Sequence, residues 1–373
     1  MTRDETRERA WASRTAAAGS TTARSRGSEA MPRFAPLVPV RARARHDAAE
    51  SARWVTCIGA AITLAPLGAV AHAQSNYPVR PVRLIAPFPP GGSSDLIARV
   101  LAQRLTEALP HPVLIDNRPG AGSNLGTQLA ARAAPDGHTL LLGSVTNAIN
   151  ATLYRDPGYD LMRDFSPISK LAIGPNALVV HPSVPARSVA ELVRLARARP
   201  GQLNYGSGGS GTTSHLSGEM LRSMAGIDIV HIPYKGTGQS VGDLVAGHIH
   251  FVFASMPVVM PQMKAGRLRA LAVTGARRTP QAPDLPTVAE AGIAGYAFDT
   301  WWSLLAPAGT APAIVTQLNG EVRRILALPD VRQRFSELGI DVLPSTPAEL
   351  GEFTRSEIER LAKIIRQTGL KAE

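Results

Sequence analysis

Apolar and polar residues follow two periods along this chain, changing over at glycine- and proline-rich turns. Val82 to Ala86 is a short, largely apolar run, as expected of a buried strand. It stops at Pro87-Phe88-Pro89-Pro90-Gly91-Gly92. Ile97, Val100, Leu101, Leu105 and Leu109 then recur at helical spacing. The pattern predicts strands over 82–87, 112–116 and 138–143, with helices over 94–109 and 123–133 between them. Asn117-Arg118-Pro119-Gly120 and Pro135-Asp136-Gly137 supply turns. Strands joined through helices pair in parallel with right-handed crossovers. Ligands in such sheets sit beyond the carboxyl ends of the strands, where the loops at 87–93 and 143–147 belong.

The alternation resumes near Ala177. A strand over 177–181 precedes Ser188-Val189-Ala190-Glu191, a capping box that opens a helix over 189–199. Strands over 202–206, 228–234, 249–254 and 268–273 follow, with helices over 212–224, 239–246 and 258–265. Residues 275–300 are rich in proline and glycine, with a short helix expected from Thr287 to Ala291. Trp301 to Ala306 reads as a strand. Helices follow from Thr310 to about Leu326, over 330–338, and from the capping box Thr346-Pro347-Ala348-Glu349. The last carries Leu350, Phe353, Ile358, Leu361 and Ile365 as an apolar stripe that must dock on something. These terminal helices either form a third domain or return to cover the first. The second arrangement makes a two-domain α/β protein with two crossing segments and a hinged cleft.

Composition refines this picture. The chain has 373 residues, 44% hydrophobic and 18% charged, enough for two globular domains. The net charge of +11 is dispersed and not interleaved with aromatics, so nucleic acid is not the expected partner. Arg41, Arg43, Arg45 and Arg53 lead into an apolar run from Val55 to Val70 that ends at Ala71-His72-Ala73. This reads as a cleavable export signal, with residues 1–73 removed near Ala73/Gln74 and the protein released into the periplasm. The run is shorter than the roughly 20 residues that a membrane span needs. Met31 is an alternative start. The only cysteine, Cys57, lies in the leader, so the mature chain has no disulfide and no thiol nucleophile.

Three loops carry candidate chemistry. The Pro87–Asp95 turn leads into a helix whose first N–H groups and dipole favour an anion. Asp95 is more often an N-terminal dipole partner than a base. Tyr205-Gly206-Ser207-Gly208-Gly209-Ser210-Gly211-Thr212-Thr213-Ser214-His215 fits a dinucleotide fingerprint only weakly. Its hydroxyls suit a carboxylate or a helix cap. Tyr234-Lys235-Gly236-Thr237-Gly238 lacks the Lys-Ser/Thr pair of a phosphate loop. His215 has no second ligand at metal spacing, and neither metal nor cofactor is expected. The chain has neither a G-x-S-x-G elbow nor H-E-x-x-H. The competing function is an exported hydrolase of a small acid or ester, using Ser207 or Ser210 with His215.

In order along the chain, Tyr77-Pro78, Pro87-Phe88-Pro89-Pro90-Gly91-Gly92, Asn117-Arg118-Pro119-Gly120-Ala121-Gly122, Pro135-Asp136-Gly137, Tyr205-Gly206-Ser207, Pro233-Tyr234-Lys235-Gly236, Lys264 to Val273 and Ala306-Pro307-Ala308-Gly309-Thr310 resemble the Bug family. These are the exported TctC-like substrate-binding receptors of tripartite tricarboxylate transporters. The resemblance implies a type II-like, two-lobed periplasmic binding protein of two doubly wound domains. Lobe 1 would be 77–176 plus 301–373, and lobe 2 would be 177–300. It implies a monomer with no enzymatic activity that passes a carboxylate to integral membrane transporter subunits; a sensor is the other conceivable recipient. On one wall the resemblance places Phe88, Pro89, Gly91, Gly92 and Asp95, with Ser144, Thr146 and Asn147 beside them. On the other it places Ser207, Ser210, Gly211, Thr212, His215, Tyr234 and Lys235. Many members carry an acidic residue where this chain has Ala254-Ser255, so a plain carboxylic acid is expected in preference to an amino acid.

Overall fold

The computed structural model describes residues 77–372. The leader and its cleavage site lie outside the described residues. The first strands are β1 (Val82–Ala86), β2 (Val113–Asn117) and β3 (Thr139–Ser144). They pair in parallel in the order β2-β1-β3, as the alternation of strand and helix demands. Helices α1 (Ser93–Ala108) and α2 (Asn124–Ala131) make the crossovers. On α1, Ile97, Leu101 and Leu105 are fully buried, and they join Val82 and Leu84 in one apolar cluster. A helix α3 (Val145–Leu153) follows β3 directly.

The next element differs from expectation. In place of a short strand at 177–181, β4 runs sixteen residues, Phe165–Val180. Pro167, Gly174 and Pro175 break its sequence pattern, yet each falls where the ladder tolerates it. Pro167 lies at a register shift, and Pro175 lies at the end of the pairing with β9 (Asp299–Pro307). The first part of β4 pairs antiparallel with β9, which also pairs with β3. From Asn176 onward β4 pairs instead with β7 (Phe251–Ser255), and from Ala177 also with β8 (Arg269–Val273). Beyond β7 lie β5 (Asn204–Ser207) and β6 (Val230–Pro233), in parallel. The fold is therefore two-lobed. The chain crosses along β4 and returns into β9.

Helices α4 (Val189–Ala198), α5 (Thr213–Ala225), α6 (Thr237–Val245) and α7 (Met256–Lys264) belong with the second set of strands. Thr287 to Ala291 is a hydrogen-bonded turn, not the expected helix; Thr287 bridges to Val273. At the C-terminus come α8 (Pro312–Ala327), α9 (Pro329–Glu337), the two-residue β10 (Asp341–Val342) on β4, and α10 (Pro347–Thr368). The apolar stripe of α10 finds its cover: Leu350, Leu361 and Ile365 join a cluster with Val145, Ile149 and Leu216. These helices thus return to the body and form no third domain.

One buried residue, Asn176, ties the crossing together through both its backbone and its side chain. Asn176 donates its backbone N–H to Thr274 Oγ1 (2.8 Å), while its carbonyl accepts from Thr274 N (2.8 Å). Its Oδ1 accepts from Thr300 Oγ1 (3.1 Å), and its Nδ2 donates to Ser217 Oγ (3.4 Å). Asn176 is fully buried, so each partner left alone would lose a hydrogen bond that water cannot replace. Asn176→Ala is expected to cost about 1–3 kcal/mol, read as a lower urea midpoint with an unchanged slope.

Candidate functional site

Five helices begin at one cavity. It has a volume of about 280 Å³, and its lining includes Gly92, Ser144, Thr212, Gly236 and Ser255. These are the residues immediately ahead of α1, α3, α5, α6 and α7. The first turn of a helix leaves N–H groups without intrahelical partners and carries a partial positive charge. At two helices away from the cavity those groups are satisfied from within, whereas α2, α8 and α9 also begin without a side-chain cap. Ser188 accepts from Glu191 N ahead of α4, and Thr346 accepts from Glu349 N ahead of α10. Each of those helices also carries a glutamate in its first turn. At the cavity, Gly92, Thr212, Gly236 and Ser255 provide no such side-chain cap. Ser144 N donates to Asn147 Oδ1 (2.8 Å), and Ser144 and Asn147 form a capping box at the start of α3.

No Asp, Glu, Lys, Arg or His is among the described residues that line this cavity. Its polar groups are hydroxyls and amides, from Ser93, Ser94, Thr146, Thr213, Thr237, Gln239 and Thr300 among others, and its apolar surface comes from Phe88, Pro89, Pro90 and Trp302. Trp302 is held in place by its Nε1, which donates to Ser94 Oγ (3.1 Å). The walls touch at the rim. Ser93 Oγ and Ser255 Oγ are hydrogen-bonded across the cleft. A Cβ on Gly236 would collide with the Pro89 ring, although the extended backbone there needs no glycine.

Of the residues singled out from the sequence, Phe88, Pro89, Gly91, Gly92, Ser144, Thr146 and Thr212 line the cavity. Asn147 stands one layer behind it, donating to Thr127 Oγ1 (2.8 Å). Ser210 and Gly211 sit where the lobes meet: Ser210 carbonyl lies against Gly122, and Gly211 against Asn150. Tyr234 turns away, donating to Asp243 Oδ2 (2.7 Å); burial and that carboxylate push its phenol up to about 12. Lys235 is exposed outside the lining. Gln239, Ser255, Thr300 and Trp302 also line the cavity and lie outside the loops singled out from the sequence. The two on β9 had no local signal, because they arrive from the far end of the chain.

The hydrolase alternative meets a different geometry. Ser207 is fully buried and does not line the cavity. Its Oγ is paired with His231 Nε2 (2.6 Å) and accepts from Gly209 N (3.0 Å). His215 stacks on His231 with ring centroids 3.8 Å apart, and its Nδ1 accepts from Gly211 N (3.3 Å). The sequence reading missed His231, which supports the glycine loop from below. Among the described residues, no group of three His, Cys, Asp or Glu could hold a metal ion.

Asp95 is buried but lies outside the lining. It accepts from Gly91 N (3.0 Å), Arg99 (2.9 Å) and Asn117 Nδ2 (3.1 Å), and so ties the Pro-Gly turn to α1 and β2. Burial opposes its charge, but the bonds from Arg99, Gly91 and Asn117 outweigh it and hold the carboxyl below its ordinary range. Its contribution is therefore complete above the unfolded value of about 3.9 and fades as pH falls through the lower native value. Asp95→Asn is expected to cost about 1–3 kcal/mol at neutral pH. The gap to the unsubstituted protein should shrink on acidification, read by denaturant titration at about pH 7 and about pH 3.

Comparison with known proteins agrees with this construction. The family described as "Tripartite tricarboxylate transporter family receptor" matches residues 97–370. BugT of Bordetella pertussis is 36% identical over 321 residues, covering 86% of this chain and 98% of BugT. A solved R. palustris protein with adipate is 38% identical with a TM-score of 0.78, over 80% of this chain and 100% of that one. MatC of Rhodopseudomonas palustris, with bound malate, is 31% identical with a TM-score of 0.75, over 78% of this chain and 100% of that one. The chain belongs to the tripartite tricarboxylate transporter receptor family and is a periplasmic solute-binding receptor of the TctC/Bug type.

Proposed function

We propose that this receptor captures a small organic carboxylate between its lobes and hands it to the membrane subunits of a tripartite tricarboxylate-type transporter. Lobe 1 is then 77–176 plus 301–373, and lobe 2 is 177–300. The protein acts as a monomer, delivered to the periplasm by a signal cleaved near Ala73/Gln74. The observation that carries the reading is the convergence of five helix starts on a cavity without charged side chains. Each helix end contributes about 0.3–1 kcal/mol to an anion, and up to about 2 in a partly buried setting. Micromolar affinity needs about 8 kcal/mol. The dipoles supply a large share, and direct N–H and hydroxyl hydrogen bonds supply the rest. Relatives of this fold were solved with adipate and malate, both carboxylates.

The same cavity disfavours a ligand ammonium. Such a group would face five partial positive charges and no carboxylate. Ser255 stands where an acidic partner would be useful. A plain acid is therefore the ligand class, in preference to an amino acid.

Thermal stability followed against a panel of organic acids tests this. A ligand at one hundred times its Kd stabilises by about 2.7 kcal/mol, so a true ligand gives a clear upward shift. Amino acids of the same length should give none. If no carboxylate shifts the transition, the proposal fails. Gly92 offers a finer test. Its φ is −82°, and a Cβ there would meet only Pro89 O at 3.7 Å. Gly92→Ala should leave stability within about 0.5 kcal/mol. It should nevertheless weaken the acid that binds best, because its methyl stands where ligand approaches backbone. Gly236→Ala should also weaken binding, by roughly tenfold, because the Pro89 collision costs closure about 1–3 kcal/mol. Titration calorimetry reads both variants.

A further inference from the structure

A second depression adjoins the cleft. It is an open groove of about 470 Å³ between α1, α6 and α7. Leu96, Val241, Val245, Val258 and Pro261 make most of its wall, and Arg267 is its only charged residue. The groove and the carboxylate cleft share two lining residues, Gly91 and Gly238. Neither has a side chain, so no side chain from either position closes the way from one space to the other.

The glycines of α6 make this more than a surface hollow. Gly238 and Gly242 are one turn apart on one face of the helix, and both line the groove. Neither has a positive φ, and a Cβ on either would meet nothing within 4 Å. Backbone geometry and packing therefore do not require glycine at these positions. Each instead costs the helix about 1 kcal/mol relative to alanine. What their small size provides is width in the groove. Gln262, also in the lining, carries a buried side-chain oxygen with no hydrogen-bond partner. Its amide can present either a donor or an acceptor to an incoming group. The Arg267 guanidinium makes no ion pair among the described residues.

We infer that the groove is a subsite for the distal part of the ligand. It suits an acid whose apolar chain leaves the helix starts, passes Gly91 and Gly238, and ends in a second anionic group at Arg267. This rests on the carboxylate reading of the cleft and adds a substrate class to it: long-chain dicarboxylates. The apolar wall matches the methylenes, and Arg267 matches the far carboxylate. Chain length is thereby read by the distance between two unlike ends, one held by dipoles and the other by a cation.

Titration calorimetry with succinate, adipate, sebacate and decanoate tests the inference on the mature protein, Gly242→Leu and Arg267→Gln. Leucine at the exposed position 242 replaces a poor helix former with a good one, so the variant should fold with an equal or higher melting temperature. It should lose affinity for sebacate by roughly tenfold or more while binding succinate as before. Arg267→Gln should weaken sebacate and leave decanoate unchanged. Binding of succinate without sebacate by the unsubstituted protein overturns the subsite, as do Gly242→Leu effects that are equal for both acids. Failure of every acid to bind overturns the carboxylate reading itself, and the subsite with it.

Discussion

Unsatisfied N–H groups at helix starts are the constraint around which this molecule is arranged. A helix end hidden from water without partners is costly, and most proteins cap such ends with their own side chains. This chain does so at α4 and α10, away from the cleft, while α2, α8 and α9 start without a side-chain cap. At the cleft it leaves the starts of α1, α5, α6 and α7 without side-chain caps and directs them into one shared volume. On the proposed carboxylate reading, water satisfies these donors in an open protein and an anion takes that place on closure, so that closure and recognition depend on the same groups.

The remaining structure serves that convergence. β4 and β9 carry the chain between the lobes, and Asn176 locks their crossing to Thr274, Thr300 and Ser217. Asp95 gives its charge to Arg99, Gly91 N and Asn117, and so fixes the Pro-Gly turn without placing a negative charge in the cavity. Gly236 lets the second lobe reach Pro89, and Ser93 meets Ser255 beside it. Rigid supports behind a neutral lining place the N–H groups with little left to reorganise when ligand arrives.

Much of the fold was legible because local and global preferences agree. The buried runs 82–86 and 139–142, the turn glycines and the two capping boxes all specify elements that are present. The first half of β4 was hidden by Pro167, Gly174 and Pro175, which the ladder tolerates only because register shifts and the crossing fall there. Helix α3 was hidden because Val145, Thr146 and Ile149 are β-branched and give strand-like signals. At the site, the rule that ligands lie past strand ends picks out the Pro-Gly turn and Ser144, which line the cavity. The same rule picks out Tyr234, which is not in the lining and whose hydroxyl donates to Asp243 on the adjoining helix. Thr300 and Trp302 were out of reach, since only tertiary structure brings β9 beside a turn two hundred residues earlier.

The central claim is that backbone dipoles, and not side-chain cations, hold the acid. A crystal structure of the closed protein with its best-binding carboxylate tests it most directly. The account predicts carboxylate oxygens within hydrogen-bonding distance of N–H groups at the starts of α1 and α6 or α5, joined by hydroxyls such as Ser144 and Thr212. A carboxylate in the cleft paired with Lys235, or an acid bound away from these helix starts, would contradict it.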